Sequence, residues 1–94
     1  MDKKKNQEWR QKVIERDKCC AICLRSDVRL NVHHLIPKQF KEFKYDVNNG
    51  IVLCTHHHTL GRFSPHKNAI WFTKWLYNNK RDTYDWVIEN LPVK

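Results

Sequence analysis

Cys20-Ala21-Ile22-Cys23 and Cys54-Thr55-His56-His57 decide the fold. Each quartet places two metal-ligand side chains across a two-residue gap, the spacing that lets both reach one tetrahedral ion. A zinc held by Cys20, Cys23, Cys54 and His57 would tie an early knuckle to a chain segment about thirty residues later, and such a three-thiolate, one-imidazole site is structural. His56 or His58 in place of His57, and Cys19 in place of Cys20, remain open, although only the first set keeps both gaps. All four cysteines and all six histidines lie between Cys19 and His66, with none in either flank. That is more than one zinc needs, so some of the histidines are free for different work.

Between the two quartets stands His33-His34. Neighbouring side chains on a strand point to opposite faces, so the two imidazoles are expected to have separate tasks. One can ligate a divalent metal, and the other, with an ordinary pKa near 6.5, can take a proton from water.

Working outward, β-compatible runs at Val28 to His34 and Gly50 to Cys54 flank a long connection containing Pro37 and the turn-prone Asp46-Val47-Asn48-Asn49-Gly50, which reads as a hairpin-like pair. Upstream, residues 6–17 put Trp9 and Val13 four apart without Gly or Pro, the pattern of an amphipathic helix with a basic outer face. The preceding Lys3-Lys4-Lys5 run reads as a frayed, solvated start. Downstream, Ser64-Pro65 suits a helix cap and first turn, carrying a helix to about Asn78, and Asp82 to Asp85 opens a shorter one that Leu91-Pro92 stops. Trp71, Trp75 and Trp86 fall at helical spacing and are read as packing.

Ninety-four residues make one domain, small enough for a metal to supply much of its stability. Net charge is +8, and it is uneven: residues 1–67 carry fourteen basic and seven acidic side chains, residues 68–94 four and three. The positive field therefore surrounds the Cys/His segment, and a polyanion is the expected partner. No apolar segment follows Met1 to Lys5 and no apolar run is long enough to span a bilayer, so a reducing, cytoplasmic setting without membrane attachment is expected.

Glu8-Trp9-Arg10, Glu15-Arg16-Asp17, Cys20-x-x-Cys23, Val32-His33-His34-Leu35-Ile36-Pro37 and Asn49-Gly50-Ile51-Val52-Leu53-Cys54-x-x-His57-His58 together resemble the HNH endonucleases of the ββα-metal type, over roughly residues 8–66. The resemblance implies an α+β fold: a small zinc-stabilised ββα-metal core at 18–66, an N-terminal basic helix at 1–17 and a C-terminal helical packing region at 67–94. It implies that His33 and His58 ligate a catalytic divalent ion such as Mg²⁺ or Mn²⁺, that His34 is the general base, and that Asn49 supports the loop that orients it. By the same resemblance, DNA is hydrolysed to 5′-phosphate and 3′-hydroxyl ends in a cell that is the host's if the gene is a phage's. Two positions depart from the common pattern. Many relatives carry Cys where this chain has His57, and the second helix ligand would fall at Arg62. His66 is therefore expected to complete the catalytic metal site.

Arg62, Lys38 and Lys41 are candidates for phosphate contacts. A homodimer, or a larger phage, mobile-element or restriction protein, would supply targeting. The competing readings are a catalytically silent zinc module that binds nucleic acid and a protein-interaction knuckle using the aromatic C-terminal helices.

Overall fold

A computed structural model describes residues 2–92. Helix α1 runs Asp2–Asp17, strand β1 Leu30–His34, strand β2 Gly50–Cys54, helix α2 Ala69–Asn79 and helix α3 Arg81–Asn90. The architecture is small α+β, with one antiparallel hairpin and helices at both ends. None of the described helices is long and apolar enough to cross a membrane.

The hairpin divides the core in two. Register pairs Val32 with Val52, His33 with Ile51 and His34 with Gly50, and cross-strand partners share a face. On one face, Val52 packs with Trp9 and Val13 of α1. On the other, Ile51 and Leu53 pack with Cys20 and with Phe72 and Leu76 of α2, and Cys54 at the end of β2 joins the same cluster. His33 therefore belongs to the α2 face and His34 to the α1 face.

Helix α1 starts at Asp2, so Lys3-Lys4-Lys5 is helical rather than frayed. It stops where Lys18 turns left-handed at φ 65° while its N–H bonds the Ile14 carbonyl at 2.7 Å. Arg16 then clamps the helix to the hairpin, donating to the carbonyls of Val47 at 2.9 Å and Gly50 at 2.7 Å.

Gly50 opens β2 with extended backbone, so no turn requires a glycine there. The reason is close approach: a Cβ would meet Val13 Cγ2 at 2.8 Å, Trp9 Cζ2 at 2.9 Å and Val32 Cγ1 at 3.2 Å. Gly50→Ala must push α1 off the sheet, and overpacking of this kind costs about 1–3 kcal/mol. Thermal unfolding checks it, with a lowered Tm expected for the variant and an unchanged zinc content.

The connection between the strands is long but ordered, with 3₁₀ turns at Lys41–Phe43 and Val47–Asn49. Trp86 of α3 meets Phe43 edge-to-face at 5.8 Å and supports this loop from outside. Two helix starts differ from expectation. The hydroxyl of Ser64 is buried and donates to the Gly61 carbonyl at 2.6 Å, closing the preceding turn. Asn68 is the cap of α2 instead, its side-chain oxygen accepting from the Trp71 N–H at 3.0 Å. α3 begins at Arg81, one residue ahead of the expected Asp82.

Candidate metal centres and cleft

The first cluster forms where the knuckle after α1 meets the end of β2. Leu24, left-handed at φ 64°, reverses the chain after Cys23, and Leu24 N–H to Cys20 carbonyl (2.8 Å) with Cys20 N–H to Arg25 carbonyl (3.0 Å) closes the loop. Cys54 ends β2, and a single π-helical turn at His56–Leu60 carries His57 back over it. The ligand atoms of Cys20, Cys23, Cys54 and His57 lie within 4.8 Å of one another. Cys23 Sγ is 3.9 Å from Cys54 Sγ, and His57 Nδ1 is 3.2 Å from Cys54 Sγ and 3.9 Å from Cys20 Sγ. Thiolates at about 2.3 Å from a tetrahedral zinc are about 3.8 Å apart, so this donor set fits the ion, and the thiol spacing is far from that of a disulfide. Burial works against a thiolate at Cys20, but N–H groups of Cys23, Cys54 and Ile22 outweigh it and lower the thiol's pKa. Burial lowers the His57 pKa, which keeps a neutral, ligating imidazole. Cys19, His56 and His58 lie outside this group of four.

The second cluster joins β1, the π-helical turn and the turn before α2. His33, His58 and His66 bring their ring nitrogens within 4.8 Å, with His58 Nε2 and His66 Nε2 3.1 Å apart. Imidazole nitrogens bound to an ion at about 2.1 Å are separated by about 3.0 Å at a right angle and about 3.4 Å at the tetrahedral angle. Phe72 of α2 supports His33 edge-on at 5.7 Å. Burial, then the neighbouring charges of His58, His66 and His34, pushes the His33 pKa down to about 3, and burial followed by His66 lowers that of His58. The imidazoles of His33 and His58 are thus held neutral, ready as ligands.

His34 is the last residue of β1, and it faces the other way. Its ring stacks on Trp9, and its Nε2 lies 3.0 Å from the Lys44 carbonyl. A carbonyl only accepts, so Nε2 carries the hydrogen and Nδ1 keeps the lone pair. Burial, aided by the Lys38 and Lys44 charges and opposed by the Lys44 carbonyl, lowers its pKa and leaves the ring neutral near pH 7. Although the two histidines point to opposite faces, both open onto one cleft of about 1020 Å³ that wraps the end of the strand. His58 and His66 line it too, together with Lys3, Asn6, Lys38, Gln39, Lys44 and Tyr45. No Asp or Glu does.

Asn49 does not line the cleft. It is fully buried, accepting from the Ile36 N–H at 2.6 Å and donating to the carbonyls of Ile36 at 3.0 Å and Phe43 at 3.1 Å. These bonds join the exit of β1 to the loop that presents the Lys44 carbonyl. Lys38 is on the cleft, while Arg62 and Lys41 are exposed and not among its lining. Sequence reasoning missed Trp9 as a neighbour of His34 and Lys3 and Lys44 as cleft residues. Trp9 carried one signal, the single aromatic of a helix whose other apolar side chains are Val13 and Ile14; for Lys3 and Lys44, ordinary surface lysines by pattern, there was none.

Residues 20–61 match the family model described as HNH endonuclease. The matched segment includes the first cluster, both histidines of the pair, Asn49 and His58, and excludes α1 and His66. No curated protein and no solved structure matches the chain.

Proposed function

With the centre of the chain recognised as HNH-type, we propose that the protein is a metal-dependent endonuclease that hydrolyses phosphodiester bonds of duplex DNA. The observation carrying this reading is one cleft that holds both a three-histidine cluster and a neutral imidazole whose Nδ1 is free to accept a proton. In this reading His34 Nδ1 takes the proton of the attacking water, and the bond from Nε2–H to the Lys44 carbonyl keeps the lone pair on Nδ1. Asn49 holds the loop without touching substrate. Lys3, Lys38 and Lys44 line the cleft and neutralise phosphates, with Lys41 and Arg62 as outer contacts.

The residues fit a divalent ion at His33, His58 and His66; when bound, it supplies positive charge to the phosphate and the leaving 3′-oxygen. Its identity follows from the donors. Mg²⁺ takes oxygen ligands and sheds water reluctantly, whereas imidazole suits Zn²⁺, Ni²⁺ and Co²⁺, with Mn²⁺ between. A site whose clustered donors are three imidazoles therefore favours transition metals over the Mg²⁺ that the family resemblance allows.

Supercoiled plasmid incubated with zinc-loaded protein across these ions tests both points. Relaxed or linear product is expected, with half-maximal rate at about tenfold lower Ni²⁺ or Mn²⁺ than Mg²⁺. Binding without cleavage under every ion would instead support a silent nucleic-acid-binding module.

A further inference from the structure

Helix α1 lies outside the matched segment, yet one of its side chains lies directly against His34. We propose that Trp9 is a positioning residue that fixes the plane of the His34 ring and, through the loop at 44–46, the carbonyl that selects its tautomer. The proposal rests on His34 being the base.

The two rings are 4.0 Å apart between centroids and 14° from parallel. Trp9 Nε1–H donates to the Asp46 carbonyl at 2.8 Å, and His34 Nε2–H to the Lys44 carbonyl at 3.0 Å. Two stacked rings are thereby pinned to carbonyls two residues apart on one stretch of loop. The indole holds that stretch in place, and the imidazole reads its tautomer from it. The last torsion of a histidine is broad, so a ring without such a neighbour would tilt through a wide range. Trp9, only 3% exposed, has no room to leave. Gly50 makes the arrangement possible: it sits directly across from His34 on β2, and a Cβ there would occupy the space the indole fills. Trp9, Gly50, His34 and the carbonyls of Lys44 and Asp46 thus form one device spanning α1, both strands and the loop.

Trp9→Leu and Trp9→Phe, compared with Val13→Ala, test this. Val13 shares the buried face and cluster of Trp9 but carries no ring to stack on His34, so its variant reports loosening of α1 alone. Each protein is first shown to hold its zinc. Trp9→Leu is expected to lower kcat about 10- to 100-fold with KM unchanged. In NMR spectra of the zinc-loaded protein, its His34 ring protons should lose the upfield shift from the indole face, and the ring ¹⁵N shifts should move from one tautomer towards an average. Trp9→Phe keeps a smaller upfield shift and recovers most of kcat, and Val13→Ala changes neither. His34 resonances unmoved in Trp9→Leu, or an equal fall of kcat in Val13→Ala, would overturn the proposal. Should Trp9→Leu not fold, Trp9→Phe decides alone, because a phenyl ring must shift the His34 protons less than an indole does and an unchanged shift refutes the contact. If the wild-type protein cleaves nothing, the nuclease reading falls, and the NMR comparison still decides whether Trp9 orients His34.

Discussion

Cys54→Ala is expected to leave the chain without a cooperative thermal transition near room temperature. The four ligands come from three places: the knuckle at Cys20 and Cys23, the end of β2 at Cys54, and the π-helical turn at His57. Besides these ligands, the knuckle is joined to β2 by the hydrogen bond from the Ala21 N–H to the Val52 carbonyl at 2.9 Å and by apolar packing. The core has two small clusters, one of them only Trp9, Val13 and Val52 with partly buried neighbours. A domain of this size has a net stability of about 5–15 kcal/mol, while zinc binding by such donor sets supplies about 10–16 kcal/mol of apparent folding free energy. Losing one thiolate forfeits much of that sum and opens the centre to water. Circular dichroism during heating, with zinc content measured on the same sample, checks this; a strong chelator should do the same to the wild-type chain. Cys19→Ala is the control. Cys19 lies outside the cluster, so its variant should melt within a few degrees of wild type, and a Cys54→Ala protein melting equally high would remove zinc from the account of stability.

His34→Ala should have the largest effect on rate, with almost none on folding. The ring is half-buried on the α1 face, and its one hydrogen bond goes to a loop carbonyl that water can satisfy. A positioned general base contributes about 10²- to 10⁴-fold, and the plasmid-cleavage rate should fall by that much at saturating metal. Comparison with His33→Ala separates base from ligand. His33 sits with His58 and His66, so its loss weakens ion binding, and raising the metal concentration should restore part of the rate. No concentration of metal should rescue His34→Ala. Equal rescue of both variants would place His34 among the ligands instead.

The parts legible in the sequence were those set by spacing within a few residues. β2 runs over the expected Gly50 to Cys54, β1 ends at the expected His34, and the alternation of a strand put His33 and His34 on opposite faces. The two-residue gaps singled out the four side chains that cluster with a spacing that could hold a metal ion. Contacts across long separations were not legible. Nothing near residue 9 points to residue 34, and Gly50 reads as a turn glycine until α1 is seen lying against it. The start of α2 was misplaced because Ser64-Pro65 and Asn68 are both sound caps locally. What decides between them is the Ser64 hydroxyl closing back on Gly61, a tertiary preference that propensity does not contain. His66 therefore reaches His58 from a turn rather than from the first turn of a helix.

The central claim is that two ions share this scaffold, one locked into its fold and one exchangeable beside His34. Native mass spectrometry of metal-loaded protein, followed by mild chelation and a parallel plasmid assay, addresses it most directly. Two ions should be bound at first; chelation should release one and stop cleavage, while the other stays and the fold persists. A chain that never holds more than one ion, or that still cleaves after losing the exchangeable one, would contradict it.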